Sequence, residues 1–258
     1  MEAKSRKSAR AWRLGDHILI QGDSTQPWGD FEATKGVKIR LIACDPPYGV
    51  GYVENKDWLG LRGEQSEHFK NHKKIAGDQL QSEAQYAEFT KKWLEVAKPH
   101  LEKKNACYIF NCDLMLCALK TGMKQAGLYY SQTLIWLKDR IVLGRKDYNP
   151  QHELIAYGWY GTHIFERPGA GKSVLFHPKP HSSKIHPTMK PVGLMRKLIL
   201  NSTKVGEWVY DPFGGSGSTL IACEHTKRRC IMIESEETYC DSIIKRWELL
   251  TKKKSERI

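Results

Sequence analysis

The stretch "VYDPFGGSGSTLIACEHTKRRCIMIE", residues 209 to 234, decides the fold. The run up to Asp211 reads as a short strand, "GSGSTLIACEHT" turns into a helix, and "RRCIMIE" reads as a second strand ending on Glu234. Strand, glycine turn, helix and strand make up the repeating unit of an α/β sheet. Glycines at such a turn permit a tight bend and close backbone approach to a ligand. The helix start just beyond them supplies unpaired amides. Glu234 lies 23 positions after Asp211, where an acid can take both hydroxyls of a ribose. The stretch therefore reads as a nucleoside-cofactor site.

Two other cofactor classes fit poorly. Gly214, Gly215 and Gly217 miss the GxGxxG dinucleotide spacing. No Gly-Lys pair sits in this turn to cradle a phosphate. The "PGAGKS" stretch at 168 to 173 is a decoy: Glu166 stands where the phosphate-loop pattern needs glycine, and no apolar strand leads into it.

Working outward, short apolar runs alternate with longer amphipathic ones, as in a sheet covered by helices. "HILIQGD" predicts a strand ending near Asp23, and "IRLIACD" one ending at Asp45. "ACYIFN", "YSQTLIWLK" and "HELIAYGWY" are further strands. Helices are expected from the cap Ser82 up to Pro99, over roughly 112 to 126, from Pro191 at a first turn, and over "ETYCDSIIKRWELL". Residues 1–13 and 251–258 read as solvated basic tails, and 14–250 as a single domain. Residues 51–80 read as a mobile surface loop, and 161–185 as a polar stretch of little periodicity.

The 258 residues are 40% hydrophobic, enough for a sizeable core. The net charge of +12 predicts a polyanionic partner, with nucleic acid the first candidate, beside the plainer alternative of a generally basic surface. Seven cysteines without a CxxC pair read as reduced thiols of a cytoplasmic protein. No apolar run is long enough to span a membrane, and no signal peptide is visible. His177, His181 and His186 are irregularly spaced with no nearby cysteine, so no metal site is expected.

The second decisive stretch is "LIACDPPYGV", residues 41 to 50. A buried strand stops on Asp45, Pro46 and Pro47 fix the backbone, and Tyr48 offers a flat face. The Asp45 carboxylate and the Pro46 carbonyl, held rigidly together, suit a group with two N–H donors, such as an exocyclic amine. The other reading is a structural Pro-Pro turn with an acid cap.

DPPY at 45–48 followed by DPFGGSGST at 211–219 resembles the amino-DNA methyltransferases that use S-adenosylmethionine. "HPTMKP", residues 186 to 191, matches the motif that precedes the cofactor strand in the β arrangement of that family, where the catalytic motif comes first. The resemblance covers roughly residues 14 to 250. It implies a Rossmann-like methyltransferase fold, circularly permuted, with a mostly parallel seven-stranded sheet and helices on both faces. It implies Asp45, Pro46, Pro47 and Tyr48 as catalytic residues. It places Asp23 near the cofactor's adenine and Thr188 and Lys190 near its methionine end, beside Asp45, Asp211, Phe213, Gly214, Gly215, Ser216, Gly217 and Glu234. Those four acids then close neighbouring strands along one edge of the sheet.

The implied reaction is base flipping followed by in-line methyl transfer to adenine N6, since DPPY rather than SPPY leans towards adenine. Cytosine N4, an RNA or protein amine, and an inactive DNA-binding homologue are the alternatives. Double-stranded DNA is the implied partner, with a homodimer and a restriction endonuclease partner left open. Target recognition is expected in 161–185, with Arg167, Lys172, Lys179 and Lys184, or in 51–80, or around Arg140, Arg145 and Lys146. Glu153 is assigned no chemistry, only a structural role.

Overall fold

The computed structural model describes residues 10–28, 31–51, 78–141, 147–179 and 189–258. Near the chain start lie strands β1 (Arg10–Leu14), β2 (His17–Gln21) and β3 (Ile39–Cys44). Then come α1 (Glu83–Ala97), β4 (Leu101–Asn111), α2 (Leu116–Gln125), β5 (Tyr129–Leu137) and β6 (His152–Trp159). Two short strands follow, β7 (Thr162–His163) and β8 (Val174–Phe176). The last part runs α3 (Val192–Ser202), β9 (Trp208–Asp211), α4 (Ser218–Thr226), β10 (Arg229–Glu234), α5 (Glu237–Thr251) and β11 (Glu256–Arg257).

The sheet runs β11-β1-β2-β10-β9-β3-β4-β6-β5-β8, with β7 paired to β4. Its central seven strands, β2 to β5 in that order, are the expected mostly parallel sheet. Pairs β2–β10, β10–β9, β9–β3 and β3–β4 are parallel, and β6 alone runs against its neighbours β4 and β5. The circular permutation is explicit: β10, from late in the chain, lies beside β2, from its beginning.

Alternation along each central strand feeds two cores. Leu41, Ala43, Tyr108, Phe110 and Met232 face one side, under Leu198 of α3, Leu220 of α4 and Trp247 of α5. Ile42, Cys44, Cys107, Ile109 and Ile233 face the other, under Trp93 of α1 and Leu119 of α2. Helices therefore cover both faces. Trp93 is fully buried, and its replacement by alanine is expected to cost about 3–5 kcal/mol. Helix α1 begins where Ser82 predicts, with a complete capping box: the Ser82 hydroxyl accepts from the Gln85 amide, and the Gln85 side chain accepts from the Ser82 amide.

Several boundaries differ from expectation. Residues 10–13 are not tail. Ala11 and Leu14 are fully buried, and β1 forms a tight hairpin with β2 across Gly15, whose φ is +59°. Residues 256–257 are not tail either, because Trp12 pairs with Arg257 and Arg13 with Glu256. The basic residues around Ala11 and Leu14 mask these buried positions in the sequence. Pro191 stands one residue before α3, as its cap. Strand β2 stops at Gln21, two residues short of Asp23. The 161–185 stretch contributes β8, whose Leu175 is buried. Most of the 51–80 loop (52–77) lies outside the described residues, as do Arg145, Lys146, His181, Lys184, His186 and Thr188. Among the described residues no helix is long and apolar enough to cross a membrane. All seven cysteines are free thiols.

Candidate active site

Strands β2, β10, β9 and β3 are consecutive in the sheet and parallel, so their carboxyl ends form one edge. Glu234 and Asp211 close β10 and β9, and Asp45 and Asp23 follow β3 and β2. The four acids that end predicted strands thus lie on one edge, where open α/β sheets bind ligands.

At Asp45 both carboxylate oxygens are engaged. The Tyr48 hydroxyl donates to Oδ1 at 2.7 Å, and the Lys190 ammonium donates to Oδ2. The same ammonium lies 3.1 Å from Glu153 Oε2, and the Tyr48 hydroxyl reaches that oxygen at 3.4 Å. Lys138 Nζ, just past β5, sits 2.8 Å from Glu153 Oε1. Two carboxylates and two ammonium groups therefore form one neutral cluster. Removing a single member would leave a buried charge uncompensated, at a cost of about 3–5 kcal/mol. The Asp45 and Glu153 side chains are 22% and 23% exposed against 7% for Lys190, so an entering group meets carboxylate first.

The two acids respond oppositely for a physical reason. Burial pushes the Asp45 carboxyl up, and one lysine, Lys190, only partly offsets it, with Glu153 adding to the rise. Burial also works against the Glu153 carboxylate, but Lys190 and Lys138 together outweigh it and hold its pKa down. Burial opposes the charge of Lys190, and its two carboxylate partners outweigh that and raise its pKa. Lys190 is therefore a charged ammonium.

The Tyr48 turn is pinned from behind. Asp78 Oδ1 accepts from the Gly49 amide at 2.9 Å and the Val50 amide at 3.3 Å, while the Gly51 amide donates to the Asp78 carbonyl. At the end of β4, the Asn111 side chain donates to the Tyr86 hydroxyl of α1 at 2.9 Å.

The glycine turn follows β9. Gly215 and Gly217 have φ of +51° and +76°, which glycine adopts without strain, and Gly217 caps α4. A Cβ on Gly214 would lie 2.8 Å from Met232 Cγ, so only glycine lets the turn sit this close to β10. Glu234 holds the turn: Oε2 accepts from the Gly215 amide at 2.7 Å and Oε1 from the Glu236 amide at 2.8 Å. Burial raises the Glu234 pKa against these amides. Burial pushes Asp211 up to about 8, although the Thr219 hydroxyl and the Phe213 amide stabilise its charged form. The Phe213 ring packs edge-on against Trp93 of α1. Ser218 Oγ donates to the Lys190 carbonyl at 2.8 Å, tying the glycine turn to the Asp45 cluster. Arg246 of α5 donates to the Ser216 carbonyl.

Asp23 is exposed and spends Oδ1 on the amide and hydroxyl of Thr25, both at 2.8 Å. Glu153, Lys138, Asn111, Asp78 and Arg246 were not singled out for chemistry by sequence reasoning. Glu153 and Lys138 carry a readable signal, a charge at the margin of an apolar strand, which is the signal that marks Asp45 and Glu234.

The family of N6/N4 methyltransferases described as DNA methylase matches residues 39–246 of this chain. The Type II methyltransferase M2.DpnII of Streptococcus pneumoniae is 26% identical over 251 residues, covering 90% of this chain and 89% of that protein. The solved M1.HpyAVI–SAM complex has a TM-score of 0.63 at 22% identity, covering 88% of this chain and 98% of that one. The PvuII DNA methyltransferase (cytosine-N4-specific) has a TM-score of 0.66 at 15% identity, covering 89% of this chain and 85% of that one. At those identities the two structures speak for a shared fold, and the family match spans well over half of the sequence. The chain belongs to the N6/N4 DNA methylase family.

Proposed function

We propose that this DNA methyltransferase carries the methyl group of S-adenosylmethionine to the exocyclic N6 of adenine in double-stranded DNA, after flipping the base out of the duplex. The observation that carries the reading is the Asp45 corner: a part-exposed carboxylate, a double-proline turn and the Tyr48 ring, on the same sheet edge as the glycine turn.

The residues present fit that cofactor. The edge is lined by acids, and Lys190 and Arg246 beside it are already engaged by Asp45, Glu153 and Ser216. A pyrophosphate would face carboxylates there, whereas a phosphate-free nucleoside with cationic groups would be attracted. Glu234 would hold the ribose hydroxyls, Gly214, Gly215, Ser216 and Gly217 would let the backbone approach, and Phe213 and Asp211 would flank them. Asp23 would lie at the adenine end, and Lys190 and Thr188 at the methionine end. When bound, the cofactor supplies an electrophilic methyl group.

The remaining chemistry belongs to the chain. Asp45 and the Pro46 carbonyl would accept both N–H bonds of the target amine and draw its lone pair out of conjugation with the ring. Tyr48 would stack on the flipped base. Pro47 keeps the corner rigid, so that nitrogen and methyl are held in line. As the N–C bond forms the amine becomes acidic, and its proton passes to Asp45 or to water. No strong base is needed. The exposed Arg167 shares a groove with Arg196 and Lys197 of α3, and these cations with Lys172 would contact phosphate.

Mass spectrometry of nucleosides from unmethylated DNA, treated with the protein and S-adenosylmethionine, tests the reading. N6-methyladenine is the expected product. N4-methylcytosine would keep the mechanism and overturn the base. No methylated base despite cofactor binding would move the substrate to RNA or protein. Failure of both would favour an inactive DNA-binding homologue.

A further inference from the structure

Glu153 and Lys138 have no part in the transfer described above, yet they make up half of the charged cluster behind Asp45. Both groups that cap Asp45 have a second acceptor, and it is the same atom. Glu153 Oε2 lies 3.1 Å from the Lys190 ammonium and 3.4 Å from the Tyr48 hydroxyl. Its other oxygen is held by Lys138 at 2.8 Å, and Lys138 is itself buried, with Nζ 5.1 Å from the centre of the Trp136 ring. The acceptor is therefore fixed from behind by a group that does not touch Asp45's oxygens.

A target amine that gives one N–H to Asp45 meets two oxygens that each already accept a bond, from Tyr48 and from Lys190. A buried ammonium moved off its carboxylate without a second anion would be costly. Here the second anion is already in contact.

We propose that Glu153 is a positioning residue, which takes over the Lys190 ammonium and the Tyr48 hydroxyl as the target amine engages Asp45, with Lys138 anchoring it for that exchange. The inference rests on the reading that Asp45 receives the target amine. It assigns Glu153 a role in the reaction cycle rather than in the scaffold alone.

The exchange has a pH signature. Asp45 is faced by Lys190 from the segment before α3, Glu153 from β6, Asp211 from β9, Tyr86 from α1, and Tyr48 and Cys44 from its own strand and turn. Glu153 works against the pull of Lys190 on Asp45. A Glu153→Gln variant keeps the side-chain shape and removes the charge, so the pull of Lys190 on Asp45 offsets more of the effect of burial.

The test compares wild type, Glu153→Gln and Lys138→Met as full chains, in single-turnover methyl transfer to unmethylated duplex DNA across the acid-to-neutral range. Calorimetry of S-adenosylmethionine binding reports that each variant is folded. The expected result for Glu153→Gln is a plateau rate lower by about tenfold or more, with the acid limb moved to lower pH and cofactor affinity unchanged. Lys138→Met should slow transfer in the same direction by less. Either a wild-type rate in both variants, or a slower rate with the acid limb unmoved, would overturn the proposal while leaving the transfer reading intact. A wild-type protein that binds cofactor but methylates no DNA would overturn both.

Discussion

The two ends of the candidate site hold their acids in different ways. At one end, Asp45 and Glu153 are balanced by the side chains of Lys190 and Lys138. At the other, Glu234 is held by the backbone amides of Gly215 and Glu236, and Asp211 by the Phe213 amide and the Thr219 hydroxyl. Side-chain ammonium groups can change partners when a substrate arrives. Backbone amides cannot, and they fix the shape of the turn. The first arrangement suits a place where bonds are exchanged during a reaction, and the second a place where a ligand is gripped.

The largest break in that comparison is Asp45→Ala. It should lower methyl transfer by about a thousandfold or more while cofactor affinity stays nearly the same, measured by single-turnover assay and calorimetry. A surviving rate would show that Asp45 does not receive the amine. Glu234→Gln should do the reverse, weakening S-adenosylmethionine binding by about 10–100-fold through loss of charge-assisted bonds, with the transfer rate at saturating cofactor much less changed. Tyr48→Ala should cost about 1–3 kcal/mol, less than loss of Asp45, and should appear as weaker capture of a flipped base in DNA containing a fluorescent analogue.

The smallest expected effect is on stability. An unfolded aspartate ionises at its ordinary value, whereas buried Asp211 ionises near pH 8. Between those values the folded chain holds one proton more than the unfolded chain, so this residue's contribution weakens as pH rises to about 8 and is lowest above it. Asp211→Asn should therefore raise stability by about 1–3 kcal/mol, a few degrees in Tm, at mildly alkaline pH and by little in acid. Equal gains at both pH values would show that Asp211 is not held protonated.

The strand-end acids were legible because each is written locally: an apolar run, then a carboxylate, followed by proline at Asp45 and Asp211. Asp45, Asp211 and Glu234 can be picked out without knowing which strands pair. The Glu153–Lys138–Lys190 cluster was not legible in the same way, because its members come from β6, the end of β5 and the segment before α3. The pairing of β5 with β6 sets Lys138 beside Glu153, and Lys190 joins them from a stretch distant in sequence. From sequence alone Glu153 reads as structural, because its partners lie far along the chain. The margins of the fold were hidden for another reason. Ala11 and Leu14 stand three apart among basic neighbours and face opposite cores, and two-residue β11 is too short to leave a pattern.

The pairing of β1 with β11 carries a further consequence. The Ile258 amide donates to the Ala11 carbonyl at 2.9 Å, so residues from opposite ends of the described chain are sewn together on one sheet edge. The fold is close to a ring, and the order in which the DPPY corner and the glycine turn are read reflects where that ring is opened. Joining the two ends and opening the backbone between β8 and α3 would place the cofactor strand ahead of the catalytic one, with the same sheet and the same neighbours around Asp45.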